Sequence, residues 1–170
     1  MNNIILIGMP GSGKSTLGVV LAKKLGYKFI DSDILIQEKY EKTLEQLIEE
    51  HGDRGFIQIE NDVNKAIETK NTVIATGGSA IYGAEAMEHF KRIGTVIYLE
   101  LPEEELQDRL GSLKERGVVT NGKTTISEIL EDRKNLYKKY ADITMHQHDR
   151  LLRESVDKLY DIVVNKDSYN

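Results

Sequence analysis

The feature that most constrains this chain lies within its first 26 residues. Ile4-Ile5-Leu6-Ile7 is a short, wholly apolar run that stops at Gly8, the pattern of a strand buried on both faces. Gly8-Met-Pro-Gly-Ser-Gly-Lys14-Ser15 then matches G-x-x-x-x-G-K-[ST] with no residue left over. From Lys14 to Leu25 the residues Leu17, Val20, Leu21 and Leu25 recur at helical spacing, and Gly26 stands where a helix would stop. Strand, glycine loop and helix in that order form a phosphate cradle. Backbone N–H groups approach phosphate oxygens where no Cβ intervenes, and the helix adds the positive end of its dipole. The expected contacts are Gly11, Ser12, Gly13, Lys14, Ser15 and Thr16, with Lys14 on the outer phosphates and the Ser15 hydroxyl on Mg²⁺.

A fold built on such a unit alternates strands and helices, and the rest of the chain does so. Tyr27 to Ile30, Thr72 to Thr76, Gly94 to Leu99 and Asp142 to Met145 read as strands. Thr43-Leu-Glu-Gln46 and Thr125-Ile-Ser-Glu128 are capping boxes that open helices; His51-Gly52 closes the first, and Phe56, Ile59 and Val63 mark another. Pro102 starts a helix whose first turn is Glu103-Glu104-Glu105, and Leu152, Val156, Leu159 and Val163 mark the last. The expectation is an α/β protein, a three-layer α/β/α sandwich with a parallel sheet, occupying residues 1–170 as a single domain. The phosphate loop spans 8–16, an acceptor-binding region about 31–62, and a glycine-containing lid about 111–124.

Composition narrows the class. With 23 basic and 28 acidic residues the net charge is −5, so no broad basic field gathers nucleic acid or anionic lipid. There is no cysteine, hence neither disulfide nor thiolate metal site. No signal peptide or spanning helix is read. The expected partner is a small-molecule substrate, with no nucleic acid and no membrane, for a monomer in the cytoplasm.

Chemistry beyond phosphate binding requires an acceptor site. Asp31 and Asp33 stand two apart at the end of the second strand, where alternate side chains share a face. One would hold Mg²⁺ and the other would orient, and help deprotonate, a hydroxyl; the alternative is a helix-capping aspartate beside a solvated one. This geometry assumes that the tips of the first two strands lie side by side. Arg133 falls in the middle of the stripe Ile126, Ile129, Leu130, Tyr137, so it either snorkels at the stripe's edge or reaches an anion in a cavity. Arg109 and Arg116 flank the glycine-containing connection, either as surface cations or as groups that close over a phosphoryl. His146-Gln-His148 has no adjacent acid pattern and reads as a polar loop.

These residues together resemble the shikimate kinase family, over almost the whole chain. GMPGSGKST followed by DSD resembles its phosphate loop and paired aspartates, GDRGFIQIE its substrate-binding helix, VIATGGSA its glycine-ended strand, and EDRKNLY the helix whose arginine grips a carboxylate. The resemblance implies a five-stranded parallel sheet, ATP and Mg²⁺ as cofactors, and a place in aromatic amino acid biosynthesis. It implies Lys14, Asp33 and Arg116 as the catalytic set, and Ser15 and Asp31 at the metal. Arg109 falls at adenine, and Ile57, Gly77, Gly78, Ser79 and Arg133 at the substrate. Two positions depart from the family pattern. Ile57 stands where the family has an arginine, and Ser79 stands for a third glycine. Arg54, one turn before Ile57, is a candidate replacement cation. The readings that remain are a kinase of shikimate, a kinase of another small hydroxylated acceptor, and a nucleotide-binding protein with a decayed acceptor site.

Overall fold

A computed structural model describes residues 3–110, 118–147 and 151–165. Five strands, β1 (Asn3–Ile7), β2 (Lys28–Asp31), β3 (Thr72–Ala75), β4 (Gly94–Glu100) and β5 (Ile143–His146), form one parallel sheet in the order β2-β3-β1-β4-β5. Among the described residues seven α-helices accompany it: α1 (Lys14–Leu25), α2 (Ser32–Tyr40), α3 (Leu44–Lys65), α4 (Ala84–Ile93), α5 (Glu103–Leu110), α6 (Ile126–Tyr140) and α7 (Leu152–Val164). The expected α/β architecture and all five strands are present.

The apolar run of β1 is central because every one of its residues is buried. Ile5 and Ile7 face one layer, with Phe90 of α4 and Tyr137 of α6. Ile4 and Leu6 face the other, with Leu17 and Leu21 of α1 and Leu159 of α7. Val20, expected on the buried stripe of α1, is 38% exposed; Gly18 and Ala22 take the buried positions instead. Gly18 lies so close to Phe29 of β2 that a Cβ would meet its ring at 2.8 Å. Gly26 caps α1 with φ 70°.

The helix of the first capping box breaks at Gly52, as expected, and a second helical segment follows it within α3. Gly52 is non-helical, with φ 68° and ψ 175°, and the second segment runs on to Lys65. Both legs of that box form, Gln46 N–H on Thr43 Oγ1 and Thr43 N–H on Gln46 Oε1. In the second box Thr125 Oγ1 accepts from Glu128 N–H, but the Glu128 carboxylate returns to Thr124 N–H instead.

The tips of β1 and β2 are not neighbours, because β3 lies between them. They serve one cleft nonetheless. β3 runs out through Thr76 into Gly77-Gly78, and a tip without side chains leaves open the space that the phosphate loop and Asp33 share.

Candidate active site

The cleft sits beyond the carboxyl ends of the strands, where open α/β sheets bind their ligands. It encloses a cavity of about 290 Å³ that takes in Lys14, Asp33, Glu60, Gly77, Ser79 and Arg133. Five elements supply these six residues, so the site exists only in the folded chain.

The phosphate loop is held by its own sequence. Gly11 and Gly13 adopt φ 77° and 89°, a left-handed geometry that other residues reach only with strain. Lys14 is 7% exposed, and its Nζ donates to the carbonyls of Gly8 and Met9, both at 2.8 Å. Burial lowers its pKa to about 8, against the opposing pull of Asp33. Gly13, Ser15 and Thr16 line the same wall, and Ser12 is buried beneath it. Arg109, in the last turn of α5, lies across the outside of the loop with Nη1 on the Gly11 carbonyl at 3.4 Å.

Asp31 and Asp33 reach the cleft by a route other than strand alternation. Asp31 ends β2 and caps α2, its Oδ1 accepting Asp33 N–H at 3.0 Å, so it is a capping aspartate as well as a site residue. Its Oδ2 accepts from Ser15 Oγ at 2.6 Å. Two hard oxygen ligands side by side at the loop's edge suit Mg²⁺, which binds through one or two protein oxygens with phosphate and water completing the octahedron. Asp33 lies in the first turn of α2 and faces the cavity. Burial and the neighbouring Asp31 charge raise its pKa to about 6, in the range where a carboxylate accepts a proton near neutrality.

Opposite these groups, Arg133 of α6 is 1% exposed. Its Nη2 donates to the Val119 carbonyl, while Nε and Nη1 have no hydrogen-bond partner. A buried guanidinium with two unused nitrogens is an anion site; the snorkelling alternative is excluded by its burial. Gly77 and Gly78 are required by close approach. A Cβ on Gly77 would run into Glu60 Oε1 and Asp33 Oδ1, and one on Gly78 would lie 3.1 Å from Arg133 Nη1.

Other predicted positions fall differently. Ile57 packs with Phe56 and Leu47 beneath the site and does not line the cavity. Arg54 is exposed and does not line it either. Arg116, the first half of the lid and His148 lie outside the described residues. Three residues that motif reading did not pick out also shape the site. Glu60 is 1% exposed and accepts from Ser79 Oγ at 2.6 Å. Tyr137 donates to the Gly78 carbonyl at 2.6 Å, and Gln147 donates to the Ser12 carbonyl at 3.1 Å. Glu60 carried a signal, an acid among the apolar positions Phe56, Ile59 and Val63; Gln147 carried none.

The shikimate kinase family model matches residues 10–163. The chain belongs to the shikimate kinase family. This kinase is 38% identical over 165 residues to the shikimate kinase of Clostridium botulinum (strain Eklund 17B / Type B), covering 96% of this chain and 98% of that one. It is 38% identical over 144 residues to that of Persephonella marina (strain DSM 14350 / EX-H1), covering 84% and 87%. Among solved structures it resembles shikimate kinase from Acinetobacter baumannii in complex with shikimate, with a TM-score of 0.86 at 30% identity over 98% of this chain and 94% of that one. A gluconokinase from Sinorhizobium meliloti 1021, 18% identical with a TM-score of 0.58, shares the fold. The kinase has no described helix long and apolar enough to cross a membrane.

Proposed function

We propose that this shikimate kinase family member transfers the γ-phosphoryl group of ATP to a hydroxyl of shikimate, giving shikimate 3-phosphate, as a cytoplasmic monomer of one domain. The observation that carries the reading is that Lys14 and Asp33 line one cavity with Arg133. A donor phosphate, an acceptor hydroxyl and an acceptor carboxylate each have a matching group within a space of about 290 Å³.

In this reading the loop N–H groups and Lys14 take the phosphates, and Arg109 borders the nucleotide. Ser15 and Asp31 would hold Mg²⁺, which neutralises phosphate charge when bound. Arg133 takes the acceptor carboxylate through Nε and Nη1, and Gly77, Gly78 and Ser79 border the acceptor ring. Asp33 orients the hydroxyl and accepts its proton as the bond to phosphorus forms, and Lys14 stabilises the charge on the group in transfer. Arg116 is assigned the charge of that same group. Ile57 shapes the acceptor side from below, without contact. Retention of Asp33, Glu60 and Arg133 in the cavity argues against a decayed acceptor site.

The test supplies ATP, Mg²⁺ and shikimate and follows ADP release. Saturable, acceptor-dependent release supports the assignment. Turnover of a different hydroxy acid with none of shikimate would reassign the substrate and keep the chemistry.

A further inference from the structure

Arg133 is buried, yet its long side chain is tied at one nitrogen only. Nη2 donates to the Val119 carbonyl, and none of the described ion pairs includes the guanidinium. A guanidinium hinged on one hydrogen bond still turns about it, and an anion that binds it must first order it. The next residue back on α6 is an acid, Asp132. Paired with Arg133, that carboxylate would occupy the nitrogens an acceptor carboxylate needs.

Tyr82 answers both difficulties. It ends a one-turn 3₁₀ helix, Ala80–Tyr82, that follows Gly77, Gly78 and Ser79. Its ring covers the guanidinium, with Arg133 Cζ 5.5 Å from the ring centroid, within the range of a cation–π contact. Its hydroxyl donates to Asp132 Oδ2 at 2.5 Å. Tyr82 is half-buried and Asp132 exposed, and neither lines the cavity. One side chain therefore offers its π-face to the cation and its proton to the neighbouring acid. The same segment meets Arg133 at a second point, since a Cβ on Gly78 would lie 3.1 Å from Nη1. It is anchored to α6 there, because the Gly78 carbonyl accepts from the Tyr137 hydroxyl.

We propose that Tyr82, pinned by Asp132, is a positioning residue that holds the Arg133 guanidinium ready for the carboxylate of the acceptor and keeps Asp132 from answering that charge. The proposal rests on the acceptor reading given above and adds to it two residues outside the cavity. The ring and the hydroxyl have separable effects, so single variants can tell them apart.

The test reads the reaction and the free protein separately. With ATP, Mg²⁺ and shikimate, Tyr82→Leu removes the π-face and raises the acceptor KM about 5- to 30-fold, with the ATP KM within about twofold. Tyr82→Phe keeps the ring and rescues most of that loss, leaving a rise of about 2- to 4-fold. Asp132 supplies a test of sign. By charge alone, removing an anion beside the site lowers the KM of an anionic acceptor. Asp132→Ala instead raises it to the Tyr82→Phe level, because the ring is released, and adds nothing in a Tyr82→Phe background. Asp132→Asn, whose amide oxygen still accepts from the tyrosine, does not raise it. In the intact ¹⁵N-labelled chain without substrate, the Arg133 Nε–H resonance is assigned by its absence in Arg133→Lys. It exchanges slowly with water in the wild type and fast in Tyr82→Leu. A Tyr82→Leu variant that leaves both the acceptor KM and that exchange unchanged overturns the proposal. So does an equal rise in the KM of both substrates, which would make Tyr82 a prop of the fold. Should Tyr82→Leu not fold, the exposed Asp132 carries the test, and an acceptor KM that falls in Asp132→Ala overturns the proposal. Shikimate that is inert in every variant would count against the substrate reading alone, since the exchange is measured without it.

Discussion

The two halves of the cleft are built by opposite means. The phosphate loop satisfies itself: Lys14 bonds two carbonyls of its own loop, Ser15 bonds Asp31, and the left-handed glycines set the backbone. The acceptor half is assembled from α2, α3, the tip of β3 and α6, and it leaves Glu60 Oε1 and Arg133 Nε and Nη1 unsatisfied. Buried polar atoms without partners are costly, and those on residues that line the cavity all lie on this side, which marks where a ligand completes the structure. The donor half is preorganised for a group common to all nucleotides, and the acceptor half is shaped for one molecule.

The comparison breaks most sharply at Lys14. Lys14→Met removes a cation that faces both halves, and kcat should fall by about 10²–10³-fold while circular dichroism stays native, because the strands and helices do not depend on the ammonium. A loss confined to the ATP KM would assign Lys14 to binding alone. At Arg133 the expected effect is smaller and lies on the other side. Arg133→Met should raise the acceptor KM by roughly 10- to 150-fold, from a lost charge-assisted pair of about 1.5–3 kcal/mol, and leave the ATP KM within a few-fold. Arg133→Lys should not restore it, since a point charge cannot serve Val119 and a carboxylate at once. Equal effects on both substrates would show that Arg133 supports the cleft as a whole.

The same contrast explains what could be read from sequence. The donor half is contiguous, so its motif carried its geometry: strand, loop and helix fall where the pattern puts them. Arg133 was legible because a charge broke an apolar stripe. The route of Asp31 and Asp33 was not, since α2 begins on the residue between them and its run Ile34-Leu35-Ile36 has no helical periodicity. Helix α4 was legible in Ala86, Met87 and Phe90, all buried on one side, but the reading passed over it. The interposition of β3 between β1 and β2 follows from sheet order, which no local pattern encodes, and it turned the two glycines from lining residues into a geometric requirement.

A stability measurement sharpens the acceptor half without any substrate. The folded Glu60 pKa of about 8 stands above the ordinary 4.5, so the folded protein binds the proton more tightly than the unfolded chain. The stabilisation from this group is therefore complete below pH 4.5 and lost as pH rises to about 8. Glu60→Gln, neutral throughout, should melt above the wild type at pH 8.5, by about 2–4 °C for each kcal/mol regained, and the gap should close towards pH 4.5. A gap that does not depend on pH would mean that the substitution acts through packing.

The smallest expected effect tests whether the donor half is as self-sufficient as it looks. Besides Arg109 on the Gly11 carbonyl, it has a buried distant support in Gln147, which follows β5, is 5% exposed, and donates from its carboxamide to the Ser12 carbonyl. Ser12 is itself buried, and its peptide lies between the two left-handed glycines, where a small rotation would swing N–H groups away from phosphate. A neutral hydrogen bond contributes about 0.5–1.5 kcal/mol net, so Gln147→Ala should raise the ATP KM by roughly 2- to 10-fold, with kcat and the acceptor KM little changed. Gln147→Glu should be worse than alanine, because a carboxylate has no proton for the Ser12 carbonyl and adds negative charge behind the phosphates. If Gln147→Ala leaves the ATP KM where it was, the loop holds its shape without help from β5. The division between a self-contained donor half and a dispersed acceptor half would then be complete.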